Sequence, residues 1–339
     1  MFKKIKGLIS ILVSIAMLLS VVMPITAIAA STTHSQLYFI NGTDDGLLYK
    51  AQSGGLISKP ADVRSVWFVD KNNYDLTGVT TMDYSAGKDG SVLAWYDTAN
   101  SAFYIGGDGK ITAGTSVKFA FGGGSHIDEI HGLELLDTSK VTNMSYMFSS
   151  CGRYSKVFAL DLGDNFDTSN VTNMQSMFQF CGEKSTNFTL DLGSKFNTSN
   201  VTNMSWMFQY CGANSNVFTL DFGDKFDTSK VTNTAYMFYN CGQNCGTFTL
   251  DLSGCNFNTS KVTDMRNMFA GCGQGNENFT LNLGDKFDTS KVTDMTEMFY
   301  ECGKSSKKFT SLDVGGFTVS ISNSRKLTNF ASNIPVTNF

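Results

Sequence analysis

Several residue types that active sites use recur along the chain at fixed intervals. Residues 287–303, FDTSKVTDMTEMFYECG, hold a cysteine, two aspartates, a serine and two glutamates. A thiol can act as a nucleophile, pair in a disulfide or bind a soft metal. Clustered carboxylates suit Ca²⁺ or general acid–base work. Cys151, Cys181, Cys211, Cys241, Cys272 and Cys302 share one register, and Asp161, Asp191, Asp221, Asp251, Asn282 and Asp313 make a second ladder at the outward strand position. His126 and His131 flank IDEI, a spacing that is not the His-Glu-x-x-His of zinc proteases. Residues 106–112, GGDGKIT, lack the Ser or Thr that follows Lys in a phosphate loop, and read as a hairpin turn between FYI and KITA. No Ser/His/Asp or Cys/His set recurs.

The register comes from a repeat. Val-Thr-Asn/Asp-Met begins at Val141, Val171, Val201, Val231, Val262 and Val292, with Thr234 in place of the fourth Met. The spacing is 30 residues except for one step of 31, whose extra residue falls in DLSGCNF. Within a unit FTLDL alternates, so Phe188, Leu190 and Leu192 face inward and Thr189 and Asp191 outward, as in a half-buried strand. Met174, Met177, Phe178 and Cys181 then stand at i, i+3, i+4 and i+7, the apolar stripe of a two-turn helix. Asn173 is placed to cap that helix and Gly182 to end it. Each unit is thus expected to be strand, turn and short helix. One unit cannot bury its own apolar face, so the units must stack. The fold class expected is an α/β solenoid of units of about 30 residues, with a small N-terminal β-containing domain.

The combined motif L-D-L…F-D-T-S-N/K-V-T-N-M-x-x-M-F-x-x-C resembles the leucine-rich repeats of the BspA type, in their mycoplasma-rich variant. The resemblance covers all six units and extends to residues 90–113 upstream. VKFAFGG and IDEIHGLELLDTSK mimic a degenerate unit, so residues 114–140 form a capping rung. The units here are longer than the family's usual 25 or so residues, with the excess in the spacer after Cys-Gly. The resemblance implies a secreted or surface protein, linked in several members to adhesion, with no shared catalytic residues.

Stacked helices pack about 8–10 Å apart, which keeps the six ladder cysteines from bridging and makes them buried thiols. Cys245 and Cys255 lie off the ladder, leaving a local disulfide or two free thiols as the alternatives. The acidic ladder either holds Ca²⁺ or, more simply, is a solvated face near Lys195, Lys225 and Lys286; no other cofactor is called for. The slots that vary between units hold Tyr146, Phe180, Trp206, Tyr210, Tyr236, Tyr239 and Tyr300, beside Gln175, Gln209, Arg266 and Glu301. Aromatics among amides and charges are what contact surfaces use, although the same rings could serve only to cover spacer loops.

The chain opens with Lys3, Lys4 and Lys6, an apolar run over 7–22 and small residues before Ala29, the pattern of a secretory leader cut after Ala29. Cleavage takes the formal net charge from −4 to −7, which argues against nucleic acid or anionic lipid as partner. No later window reaches transmembrane length. The organisation expected is a leader over 1–29, an N-terminal domain over 30–113, the capping rung over 114–140 and repeats over 141–339. The function expected is binding or adhesion to an extracellular protein or glycan. The alternatives are a structural surface-layer or spacer protein, and an enzyme with its site in residues 30–113.

Overall fold

The computed structural model describes residues 35–36, 46–309, 312 and 328–334. The expected leader with its cleavage site, and Asp313 of the acidic ladder, lie outside these. The repeat strands form as the alternation requires. β9 (Val157–Asp161), β10 (Asn187–Asp191), β11 (Val217–Asp221), β12 (Thr247–Asp251) and β13 (Asn278–Asn282) pair in parallel, each residue opposite its repeat equivalent, so Phe188 faces Phe158 on one side and Phe218 on the other. β11 and β12 pair only at Val217 and Thr247, in the unit that carries the extra residue.

The N-terminal strands enter the same sheet. β2 (Ser65–Asp70), β3 (Thr81–Asp83), β4 (Val92–Asp97), β5 (Ala102–Gly107) and β7 (Glu129–His131) complete ten strands in the order β13-β12-β11-β10-β9-β7-β2-β5-β4-β3. Only the β3–β4 and β4–β5 pairs are antiparallel, so the sheet is mostly parallel. β1 (Ser35–Gln36), β6 (Ile111–Thr112) and β8 (Leu136–Asp137) make a second, three-stranded parallel sheet. β5 and β6 therefore belong to different sheets, and GGDGKIT joins two sheets rather than closing a hairpin. The hairpin lies one connection earlier, between β4 and β5, where Ser101 turns with φ 54°.

The short helices are absent from the repeats. Among the described residues the one α-helix is α1 (Leu47–Ser53), outside them. The apolar stripe folds instead as consecutive turns. In the first unit Met147, Ser149 and Cys151 donate their N–H groups to Met144, Tyr146 and Phe148, three residues back, at 3.0–3.2 Å. The N–H groups of Met144, Tyr146, Phe148 and Ser150 reach across to the carbonyls of Asn173, Gln175, Met177 and Gln179 in the next unit, at 2.7–3.0 Å. Half of the donors that a helix would use internally are thus spent between units. Asn143 accepts from the N–H of Ser145 at 3.0 Å, an Asx turn rather than a helix cap.

The same cross-unit bonds extend the stack at both ends. Val117, Phe119, Phe121 and Gly123 donate to Asn143, Ser145, Met147 and Ser149, so the degenerate VKFAFGG forms this turn segment too. At the other end Glu297, Phe299 and Glu301 donate to Thr328, Phe330 and Ser332, a further turn segment that no clear motif announces. Between sheet and turns lies a core of in-register rings. Phe148, Phe178, Phe208, Phe238, Phe269 and Phe299 stack with centroids 5.3–5.6 Å apart. Phe158, Phe188, Phe218 and Phe248 form a second column at 5.2–5.4 Å.

Candidate functional site

From the first Met to the Cys of each turn segment, or their equivalents, two positions have positive φ. The first holds Phe119, Tyr146, Ser176, Trp206, Tyr236, Asn267 and Glu297 in successive units; the second holds Gly123, Ser150, Phe180, Tyr210, Asn240, Gly271 and Glu301. Both are the third residue of an i→i+3 turn, the place where a type II turn needs φ above zero. Gly and Asn tolerate that conformation, whereas a bulky side chain there costs roughly 1–2 kcal/mol. The chain uses the tolerant residues at Asn240, Asn267 and Gly271, yet puts rings at the same two positions in the central units.

Those rings converge. Phe180 stacks on Tyr210 at 5.1 Å, Tyr210 meets Tyr239 edge-on at 5.6 Å, Tyr239 lies 5.7 Å from Tyr236, and Tyr236 stacks on Trp206 at 4.0 Å. Five of the seven expected residues therefore form one half-buried network on the turn face. Tyr146 stacks instead on Phe119 at 4.7 Å, two units from Trp206 with Ser176 at the position between them. Tyr300 occupies the position of Tyr239, but Ala270 separates the two, so it stands apart. The repeat motif misses Phe119 because its unit lacks the Met and Cys landmarks; aligning VKFAFGG on the turn segment finds it.

Side-chain amides run beside the rings. Gln175 donates to the Tyr146 hydroxyl at 3.3 Å, Gln179 bonds to Gln209, and Gln243 bonds to Gln274, which reaches Glu301 at 3.0 Å.

The thiols are structural. All eight cysteines are free, and the six of the ladder are fully buried. Helix separation is not the reason. Gly182 donates to the Cys151 carbonyl at 3.0 Å, and Gly212 to that of Cys181, so neighbouring cysteines stand one strand spacing apart. In-register side chains keep their Cβ atoms about 4.8 Å apart, wider than the roughly 3.8 Å a disulfide uses. The local bridge is not formed either. Cys245 is buried with its Sγ 3.1 Å from the Gly212 carbonyl, while Cys255 lies beyond the other end of β12, on its far turn. Burial pushes the Cys245 thiol up to about 12 and that of Cys255, half-buried, up to about 11. Because the thiolate is the reactive form, iodoacetamide should label Cys255 first in the native protein. Its rate should rise about tenfold per pH unit between pH 7 and 10. Mass spectrometry of peptides labelled at each pH checks this, and simultaneous labelling of the ladder would contradict it.

The acidic ladder closes turns. Asp161, Asp191, Asp221 and Asp251 each accept the N–H two residues on, at 2.8–3.1 Å, and Asn282 does the same for Gly284. A polar pocket of about 340 Å³ lies along Asp161, Asp164, Asp191 and Asp221. Among the described residues no three His, Cys, Asp or Glu side chains converge as metal ligands. His131 is 3.1 Å from Glu129 and stacks on Trp67 at 3.9 Å, and His126 bonds to Ser125 at 3.1 Å, so each is held by its own neighbours. No helix among the described residues is long and apolar enough to cross a membrane.

Residues 115–249 and 213–336 both match a family described as Mycoplasma protein of unknown function, DUF285. The two matches overlap and together span the repeats. No curated protein and no solved structure matches the chain.

Proposed function

We propose, for a chain that belongs to the DUF285 family of Mycoplasma proteins of unknown function, that it is a secreted or surface binding protein. In this reading the units form a solenoid akin to the BspA-type leucine-rich repeats, and the turn face contacts an extracellular protein or glycan. The leader pattern over residues 1–29 supports export. One observation carries the binding role: Phe180, Trp206, Tyr210 and Tyr236 take positive φ at positions where other units use Asn, Gly, Ser or Glu. A ring pair recovers only about 0.5–1.5 kcal/mol by stacking, no more than the backbone conformation costs. Local strain of this kind collects where a surface is kept for contact rather than for stability.

The protein should be presented with immobilised matrix proteins, mucins and whole cells, with binding followed by interferometry. Saturable retention on at least one surface is expected. Absence of retention on all of them would favour a spacer or surface-layer role and sink the adhesion reading.

A further inference from the structure

Charge is distributed unevenly along the turn face. The turn and spacer segments of the first rungs, residues 114–126, 144–157 and 174–187, carry Lys118, Arg153, Lys156 and Lys184 against Glu183 alone. The next two, residues 204–217 and 234–247, carry no charged residue; beside their rings stand Gln209, Asn214, Asn216, Gln243 and Asn244. A chain of net charge −4 thus has a cationic end on the face that bears its aromatic network.

The cations and rings are joined. Tyr154 is 46% exposed, and its ring lies 5.3 Å from both the Arg153 guanidinium and Lys184 Nζ, with the His126 ring at 5.7 Å. The same guanidinium sits 4.6 Å from Phe180, the first ring of the central network, and Lys118 Nζ lies 5.8–5.9 Å from Phe119 and Tyr146. Arg153 is held in place by its ion pair with buried Glu183.

Building on the proposed binding role, we infer that the turn face takes an acidic glycan, its carboxylate or sulfate groups held by Arg153 and Lys184 around Tyr154 and by Lys118 beside Phe119 and Tyr146, its sugar rings continuing over the aromatic and amide surface. An acidic peptide is disfavoured by the backbone. In the central unit Met204 and Trp206 donate their N–H groups to the carbonyls of Asn233 and Ala235 in the next unit, and Met207 donates to Met204. With its N–H groups already spent in this way, the face offers no strand edge for a peptide to extend.

The test uses the purified protein and four probes: dextran sulfate, hyaluronate, plain dextran and polyglutamate. Retention by dextran sulfate or hyaluronate is expected to exceed that by plain dextran at least tenfold, and the stronger of the two tells sulfate from carboxylate recognition. Raising the salt from about 0.05 to 0.5 M should weaken it about tenfold, because exposed charges are screened. Lys184→Gln with Lys118→Gln, and separately Tyr154→Ala, should each weaken it at least fivefold with an unchanged melting temperature. Equal retention by plain dextran, equal retention by polyglutamate, or no effect of the three substitutions would each overturn the inference. If these substitutions do nothing while changes at Trp206 and Tyr236 abolish cell binding, the partner class is wrong and the binding face stands. If neither set matters, the binding face falls as well.

Discussion

Replacing Phe208 with alanine is expected to destabilise the fold by about 3–5 kcal/mol, the range for removing a fully buried ring. Phe208 is fully buried between Phe178 and Phe238, each 5.5 Å away, and meets the edge of Phe222 at 5.8 Å. Neither neighbour can collapse into the space, because each is also held by the next ring of the column and by the backbone bonds between units. The loss should also appear in cooperativity. Units that touch only their neighbours share stability through their interfaces, so a gap at a central unit should broaden the urea transition or split it in two. Equilibrium unfolding followed by circular dichroism measures both effects. A loss below about 1 kcal/mol would mean that the ring column does not hold the units together.

Much of this architecture is legible in the residues themselves. The 30-residue register, the inward Phe188 and Leu190, the outward Thr189 and Asp191, and the burial of the cysteines all follow from pattern, and all are found. The turn segments pass for helices for a physical reason. Turns that repeat every four residues bury Met144, Met147, Phe148 and Cys151, the same spacing as a helical stripe. Asn143 bonds to the N–H two residues on, which a helix cap also does, and Gly152 takes φ 59°, as a residue closing a helix would. What separates the two structures is the partner of alternate N–H groups, and that partner lies 29 residues away, in the next unit. One local sign is present. Asn240, Asn267 and Gly271 stand inside the expected helices, where they are poor helix formers but suit positive φ.

The candidate face is legible in part. Variation between units singles out the seven aromatic positions, and five of them meet. Phe119 and Tyr154 are hidden, the first in a degenerate unit and the second in a spacer that pattern alone treats as loop. The cationic contacts around Tyr154 depend on neighbouring spacers lying side by side, which Tyr154 and Lys184 show by donating to Ser125 and Arg153 of adjoining units.

In the proposed reading the positive-φ rings serve contact rather than stability. Substituting Trp206 and Tyr236 together with asparagine, the residue another unit uses at that position, tests it most directly. The change removes the Trp206–Tyr236 stack and the Tyr236–Tyr239 contact, worth about 0.5–1.5 kcal/mol each, and relieves two bulky residues of a conformation costing roughly 1–2 kcal/mol each. Stability should therefore stay within about 1 kcal/mol of the parent or rise slightly. Two central aromatic contacts are worth about 2 kcal/mol each when they anchor an interface, so affinity for the bound surface should fall at least a hundredfold. Urea unfolding and interferometry on the same preparation give both numbers. Unchanged stability with lost binding is expected; intact binding with several kcal/mol of lost stability would mean that the rings serve the fold instead.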